Sequence, residues 1–249
     1  MPFIVRDSEG NIIKYNQITI KQHNDTFYCI NPKCNCKYRY KSYNSNKINP
    51  HFCKLKSSQH VENCWGSLVD SISNDVDCFD LSDFSSETLL KKLSTSSITN
   101  HRQVASKPIN SSERKIGYIH TLRQLKDFCL FNDNETILDK NTMIKDVFCG
   151  RKTQFLYTHY VTGVKLVECQ YHHYDKKDRS IYFTYPYKSK PLIKLRIVFN
   201  SKKCFDRVNN ELFNNPDKIV YIFAAFKGDY SNSARIYSEK QILRIDLDK

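Results

Sequence analysis

The stretch VKLVECQYHHYDKKDRSIYFTYPYKSKPLIKLRIVFNSKKCFDRVNNELFNNPDKIVYIFAAF, Val164 to Phe226, decides the fold. Four runs rich in Val, Ile, Tyr and Phe (VKLVECQYHHY, SIYFTYPY, LIKLRIVF and KIVYIFAAF) are punctuated by Asp175-Lys176-Lys177-Asp178, Pro186 and Pro191. Such runs between turn formers read as strands. Between the third and fourth lies CFDRVNNELFNN, which places Phe205, Val208, Leu212 and Phe213 on one helical face and stops at Asn214-Asn215-Pro216. Working outward, TQFLYTHYV (Thr153 to Val161) reads as a further strand before the stretch, and YSEKQILRID (Tyr237 to Asp246) as the last one after a polar loop, Lys227 to Ala234. Upstream, TLRQLKDFCLF has the spacing of a short amphipathic helix with Thr121 as N-cap. The sum is a mostly β barrel with one helix inserted late.

Farther upstream the pattern changes. Cys29, Cys34, Cys36, His51, Cys53, His60 and Cys64 crowd into one short region, FYCINPKCNCKYRY and then HFCKLKSSQHVENCW. Tetrahedral zinc takes four Cys or His ligands, commonly as two local pairs. Cys29 and Cys34 flank the turn-forming Asn31-Pro32, and His60 and Cys64 are spaced to share a helical face if Ser57 or Ser58 caps a helix. Those four are the expected ligands of a structural Zn2+, with His51, Cys36 and Cys53 as alternatives. A catalytic zinc would need an open position and a base. Glu62 is the nearby carboxylate, but H-x-E-x-C is not the H-E-x-x-H spacing.

Charge divides the chain. Lys and Arg number 39 against 26 Asp and Glu, a formal net charge of +13. Residues 1–64 and 116–249 are both basic, whereas residues 65–90 hold Asp70, Asp75, Asp77, Asp80, Asp83 and Glu87 with no Lys or Arg. That acidic stretch also carries Phe79, Leu81, Phe84, Leu89, Leu90 and Leu93, a mixture suited either to docking on a partner or to a short helix over Ser86 to Leu93. From Ser94 to Ser112, Ser, Thr and Asn dominate and almost nothing can be buried, so a flexible linker is expected. The expected domains are 1–74, a zinc-finger module; 75–115, acidic segment and linker; and 116–249, the barrel. A polycation attracts polyanions by long-range attraction and counterion release, so nucleic acid is the expected partner.

The C-x4-C, HF dipeptide and H-x3-C of residues 27–65 resemble the N-terminal zinc finger of bacterial competence-associated and mobile-element or phage-defence proteins. The resemblance implies nucleic-acid work, with a restriction-type nuclease domain following in some relatives. Here no Asp followed by Glu-x-Lys on adjacent strands appears, which removes the motif such a nuclease uses; Glu168, Asp175 and Asp178 are the carboxylates a nuclease would have to draw on instead. The later region is similar in element order to an OB-fold, so the fold class is α+β, mostly β: a small zinc-binding module plus a C-terminal OB-like β barrel. That likeness implies single-stranded nucleic acid, bases on aromatics and phosphates on Lys and Arg. Tyr157 and His159, then Tyr171 and His173, alternate onto shared faces. The nucleic-acid-binding candidates are Lys152, Tyr157, Tyr171, His173, Tyr182, Arg196, Lys227, Tyr230 and Arg235.

The glycine-rich phosphate loop, the G-x-S-x-G elbow and the cytidine-deaminase signature are all missing. The reading is therefore a non-enzymatic binder of single-stranded DNA, accessory to a mobile element or phage-related system. Alternatives are a protein-interaction module and a metal-dependent nuclease. MPFIVRDSEG mixes charge too early for a secretory signal, and no run approaches the ~20 apolar residues of a membrane span, so a cytoplasmic protein is expected, with no membrane partner and with self-association into a homo-oligomer open to it.

Overall fold

The computed structural model describes residues 4–42, 50–62, 64–71, 79, 81–95, 118–139, 142–157, 160–185, 193–228 and 232–245. The expected linker from residue 96 onward, Asp75, Asp77, Asp80, His159, Tyr187 and Tyr230 lie outside these. The chain divides into two compact units, residues 1–77 with 130–132, and residues 78–129 with 133–249. No helix among the described residues is long and apolar enough to cross a membrane.

The first unit is an antiparallel sheet of β1 (Ile4–Arg6), β2 (Ile12–Lys14), β3 (Thr26–Tyr28), β4 (Lys37–Lys41) and β5 (His51–Lys54), in the order β2-β1-β3-β4-β5. Phe27, Tyr38 and Phe52 from successive strands are buried with Val5, Cys29, Cys34, Cys36 and Cys64 in one core. So few apolar side chains make a small core, and the cysteines form a large part of it.

The second unit runs α1 (Ser86–Ser94), α2 (Leu122–Phe131, apart from its last two residues), β6 (Ile137–Asp139), β7 (Thr142–Met143), α3 (Ile144–Val147), β8 (Phe148–Cys149), β9 (Gly163–Asp175), β10 (Ser180–Tyr185), β11 (Ile193–Phe199), α4 (Lys202–Phe213), β12 (Ile219–Phe226), β13 (Ser233–Ile236) and β14 (Ile242–Ile245). β9, β10 and β11 form an antiparallel meander, β11 pairs in parallel with β13, β13 pairs with β12, and β12 returns to pair with β9 along its length. The circuit closes. With α4 between the third and fourth strands of this five-stranded barrel, the topology is that of an OB-fold. Ile181, Phe183, Leu195, Ile197, Val220, Ile222, Ala234 and Ile236 fill the barrel, and Phe205, Val208 and Leu212 of α4 join the same core. Ser201 caps α4 by accepting from the Cys204 N–H.

On the opposite face of β9 and β12, Leu166, Glu168, Tyr221 and Phe223 are also fully buried. Phe148 stacks on Tyr221 and Arg151 pairs with Glu168, so this side of the barrel is covered rather than solvated.

Four sequence expectations change. Residues 153–157 of TQFLYTHYV form no strand: residues 151–153 turn and Gln154–Leu156 form a 3-10 turn, held by Thr153 Oγ1, which donates to the Phe148 carbonyl and accepts from the Gly150 N–H. Strict alternation fails in β9, where the register shifts between Tyr182 and Phe183: His173 pairs with Tyr182 but Tyr171 with Phe183. This β-bulge puts Tyr171 and His173 on different faces. The polar loop ends at Asn232, so the fifth barrel strand is β13. YSEKQILRID instead supplies a 3-10 turn and β14, an addition beside β12.

Candidate metal centre and nucleic-acid face

β3 leads into Cys29, and the chain then reverses around Asn31-Pro32. Asn31 drives the turn: its carbonyl accepts from the Cys34 N–H and its Oδ1 from the Lys33 N–H. The Cys29 N–H donates to the Cys36 carbonyl at 2.8 Å, closing the knuckle so that both sulfurs of the Cys29 and Cys34 pair face the same way. Arg6 ties it to β1 by donating to the carbonyls of Cys29 and Cys34.

His60 and Cys64 come from the segment after β5. The expected helix over this pair does not form, since residues 58–61 are irregular and helical turns begin only at Trp65. Ser58 is engaged elsewhere: its Oγ accepts from the Lys37 N–H at 2.7 Å, and this anchors the segment to β4 instead of capping a helix.

Even so, the sulfurs of Cys29, Cys34 and Cys64 and a ring nitrogen of His60 lie within 4.8 Å of one another, the one cluster of its kind among the described residues. Cys29 Sγ and Cys64 Sγ are 3.6 Å apart, and Cys34 Sγ and His60 Nδ1 are 3.4 Å apart. Ligands at about 2.3 Å (sulfur) and about 2.0 Å (nitrogen) from a tetrahedral zinc are themselves about 3.8 Å (S to S) and about 3.5 Å (S to N) apart. The donor set and its spacing fit. Such a Cys3His cluster can chelate a metal.

The surroundings favour that state. His60 Nε2 lies 2.8 Å from the Tyr38 hydroxyl; with Nδ1 on a metal, Nε2 would carry the proton and donate to that hydroxyl, holding the ring in place. The Cys29 and Cys64 sulfurs share one hydrogen bond, which with contacts from His60 and Asn31 lowers one thiol of the pair, Cys64, and raises its partner, Cys29. Of the alternative ligands, Cys36 is buried in the core, and His51 and Cys53 sit on β5 outside the cluster.

Gly66 is a residue that the sequence reading missed. A Cβ there would lie 2.3 Å from Cys29 Sγ. Only a glycine lets the chain after Cys64 pass so close to the sulfur, and the sole sequence signal is its position immediately after Cys64-Trp65.

In the barrel, the outward side chains of β9, β10 and β11 form a second constellation. His173, Tyr182 and Arg196 are successive cross-strand partners, and Arg196 pairs on with Ser233 of β13. At ~4.8 Å per strand the row spans about 14 Å. The His173 and Tyr182 rings stack at 4.3 Å with planes 7° apart. Desolvation, with His172 and Lys194 nearby, holds His173 below its ordinary range, so near neutral pH it is an uncharged aromatic. Arg196 donates to Asp178 at 2.7 Å across the β9–β10 turn, an exposed pair that competing anions can open. Lys194 on β11, Arg235 on β13 and Lys227 at the end of β12 are exposed. The geometry offers an aromatic platform with cations beside it.

The remaining candidates sit apart from this face. Tyr157 packs against the barrel core and its hydroxyl donates to the Lys145 carbonyl, so its ring is a packing element, not a platform. Tyr171 is partly buried against the same core because of the bulge. Lys152 turns inward, its ammonium donating to the Cys129 carbonyl, and desolvation pulls it down to about 8. The carboxylates considered for a nuclease do not converge. Glu168 is buried against Arg151, Asp175 accepts from the Lys177 N–H within the turn, and Asp178 faces Arg196.

No family model matches the chain, and no curated protein or solved structure matches it either. The class rests on the molecule itself: an OB-type barrel of the kind used to bind nucleic acids, joined to a module with a Cys3His cluster that could chelate a metal.

Proposed function

We propose that this is a non-enzymatic nucleic-acid-binding protein that carries single-stranded DNA across the outer face of β9, β10 and β11, with a structural Zn2+ in the N-terminal module. The observation that carries the reading is the row of His173, Tyr182 and Arg196 on a closed OB-type barrel. Bases stack on the rings without regard to sequence, and Arg196, Lys194 and Arg235 follow the phosphates. Zn2+ held by Cys29, Cys34, His60 and Cys64 stabilises a module whose apolar core is small, since metal binding to the folded form alone is folding free energy.

A role accessory to a mobile element or phage-related system rests on the likeness of the C-x4-C and H-x3-C spacing alone. The acidic segment is less available to a partner than its composition suggests, because Phe84, Leu89 and Leu93 are buried within the second unit.

The test is binding of a fluorescent strand of about 30 nucleotides, long enough for several OB-sized sites, compared with its duplex at two salt concentrations. Mg2+ is present and product length is checked afterwards. Salt-sensitive preference for the intact single strand supports the proposal; no binding at low salt overturns it in favour of a protein partner, and shortened product restores a nuclease.

A further inference from the structure

α1 is no part of the five-stranded barrel, yet it lies beside it. Leu90 and Ser94, four residues apart and so on one face of α1, line a pocket of about 390 Å3 whose other walls include Val198, Lys227, Arg235 and Tyr237. This size is at the low end for small-molecule sites, ~300–1,000 Å3. Its lining has two kinds of chemistry. Leu90 and Val198 give apolar walls, and the Tyr237 ring stands 47% exposed at the edge. Arg235 and Lys227 give positive charge, and among the described residues neither has a carboxylate partner, whereas Arg196, Arg207 and Arg244 each do. Flat apolar walls with two uncompensated cations suit a group that is aromatic at one end and anionic at the other.

The pocket is continuous with the face described above, because Ser233 both lines it and is the cross-strand neighbour of Arg196. We propose that the pocket between α1 and β13 seats one unstacked nucleotide of the bound strand, its base between Leu90, Val198 and Tyr237 and its phosphates on Lys227 and Arg235. The inference rests on the single-strand reading and extends it. α1 then converts a flat stacking surface into a site that takes one base out of line. Its volume admits a nucleotide and excludes a folded peptide segment.

The experiment is photocrosslinking of the full chain to a short strand containing 5-iododeoxyuridine, with the crosslinked peptides mapped by mass spectrometry. Crosslinks are expected at Tyr237 as well as Tyr182. Ser94→Trp, at the last turn of α1, fills the pocket; it is expected to suppress the Tyr237 crosslink, leave that of Tyr182, and weaken binding about fivefold, the loss of one seated base. Lys227→Gln, on an exposed side chain that the fold does not need, serves if Ser94→Trp does not fold, and lowers the salt slope by ~0.7. Crosslinking at Tyr182 without Tyr237, or an unchanged profile in the variants, overturns the pocket and leaves the single-strand reading standing. Absence of both crosslinks overturns the reading and the pocket together.

Discussion

Truncating Tyr182 is the sharpest test of the proposed face. The ring stands outside the barrel core, half-buried against His173, so Tyr182→Ala leaves the packing of Ile181 and Phe183 intact. What is lost is one stacking surface, ~1–3 kcal/mol per base. Because the His173 ring remains beside the vacated position, the loss belongs to the lower part of that range, about 5- to 30-fold in Kd. Tyr182→Phe keeps the face and is expected to bind like the parent. The salt dependence separates stacking from charge: Tyr182 neutralises no phosphate, so its removal shifts the whole binding line without changing its slope, whereas Arg196→Gln lowers the slope by ~0.7. Anisotropy titrations of a labelled single strand over a salt series read both quantities. Binding of Tyr182→Ala within twofold of the parent, with an unchanged thermal midpoint for both, would refute the assignment of this face.

Asp178→Asn frees Arg196 from an exposed pair worth ~0.2–1 kcal/mol, so the same titration should show up to about fivefold tighter binding; weaker binding would mean that Arg196 faces no phosphate. Gly66→Ala forces a Cβ to within 2.3 Å of Cys29 Sγ, and zinc per chain, measured by chelator-dye release, should fall well below that of the parent. Glu168→Ala strands the buried Arg151 guanidinium and should cost ~3–5 kcal/mol in urea unfolding, a penalty far above that of an exposed pair. Lys152 titrates at about 8 when folded against 10.5 when free, so the unfolded chain holds the proton more tightly between these values. Stability of the parent relative to Lys152→Met should therefore rise with pH through that window, by up to about 3 kcal/mol, and a flat or falling difference would contradict the inward placement of the ammonium.

The barrel was legible because its strands carry β-branched and aromatic runs broken by real turns, and because α4 has a clean apolar face ending at Asn214-Asn215-Pro216. The clustering of Cys29, Cys34, His60 and Cys64 was legible from spacing and from the Asn31-Pro32 turn. Other features are tertiary in origin. Thr153 to Val161 has strand composition, but Tyr157 is drawn into the core and its hydroxyl to the Lys145 carbonyl, which no local pattern announces. The bulge that separates Tyr171 from His173 belongs to a pair of strands, so one strand's alternation cannot reveal it. The helix expected at His60 to Cys64 loses to the bond from the Lys37 N–H to Ser58, a contact between residues far apart in sequence.

Closure of the barrel also governs how the chain reaches its folded state. β9 pairs with β12 only after β10, β11 and α4 have been laid down, and the parallel union of β11 with β13 must wait longer still. The first unit is different, since its strands join near neighbours and its knuckle is local. During synthesis the N-terminal module can therefore mature early, while the β9–β11 meander emerges with one flank unsatisfied until its closing strands leave the ribosome. Until then the open flank of the meander is where one nascent chain can pair with another.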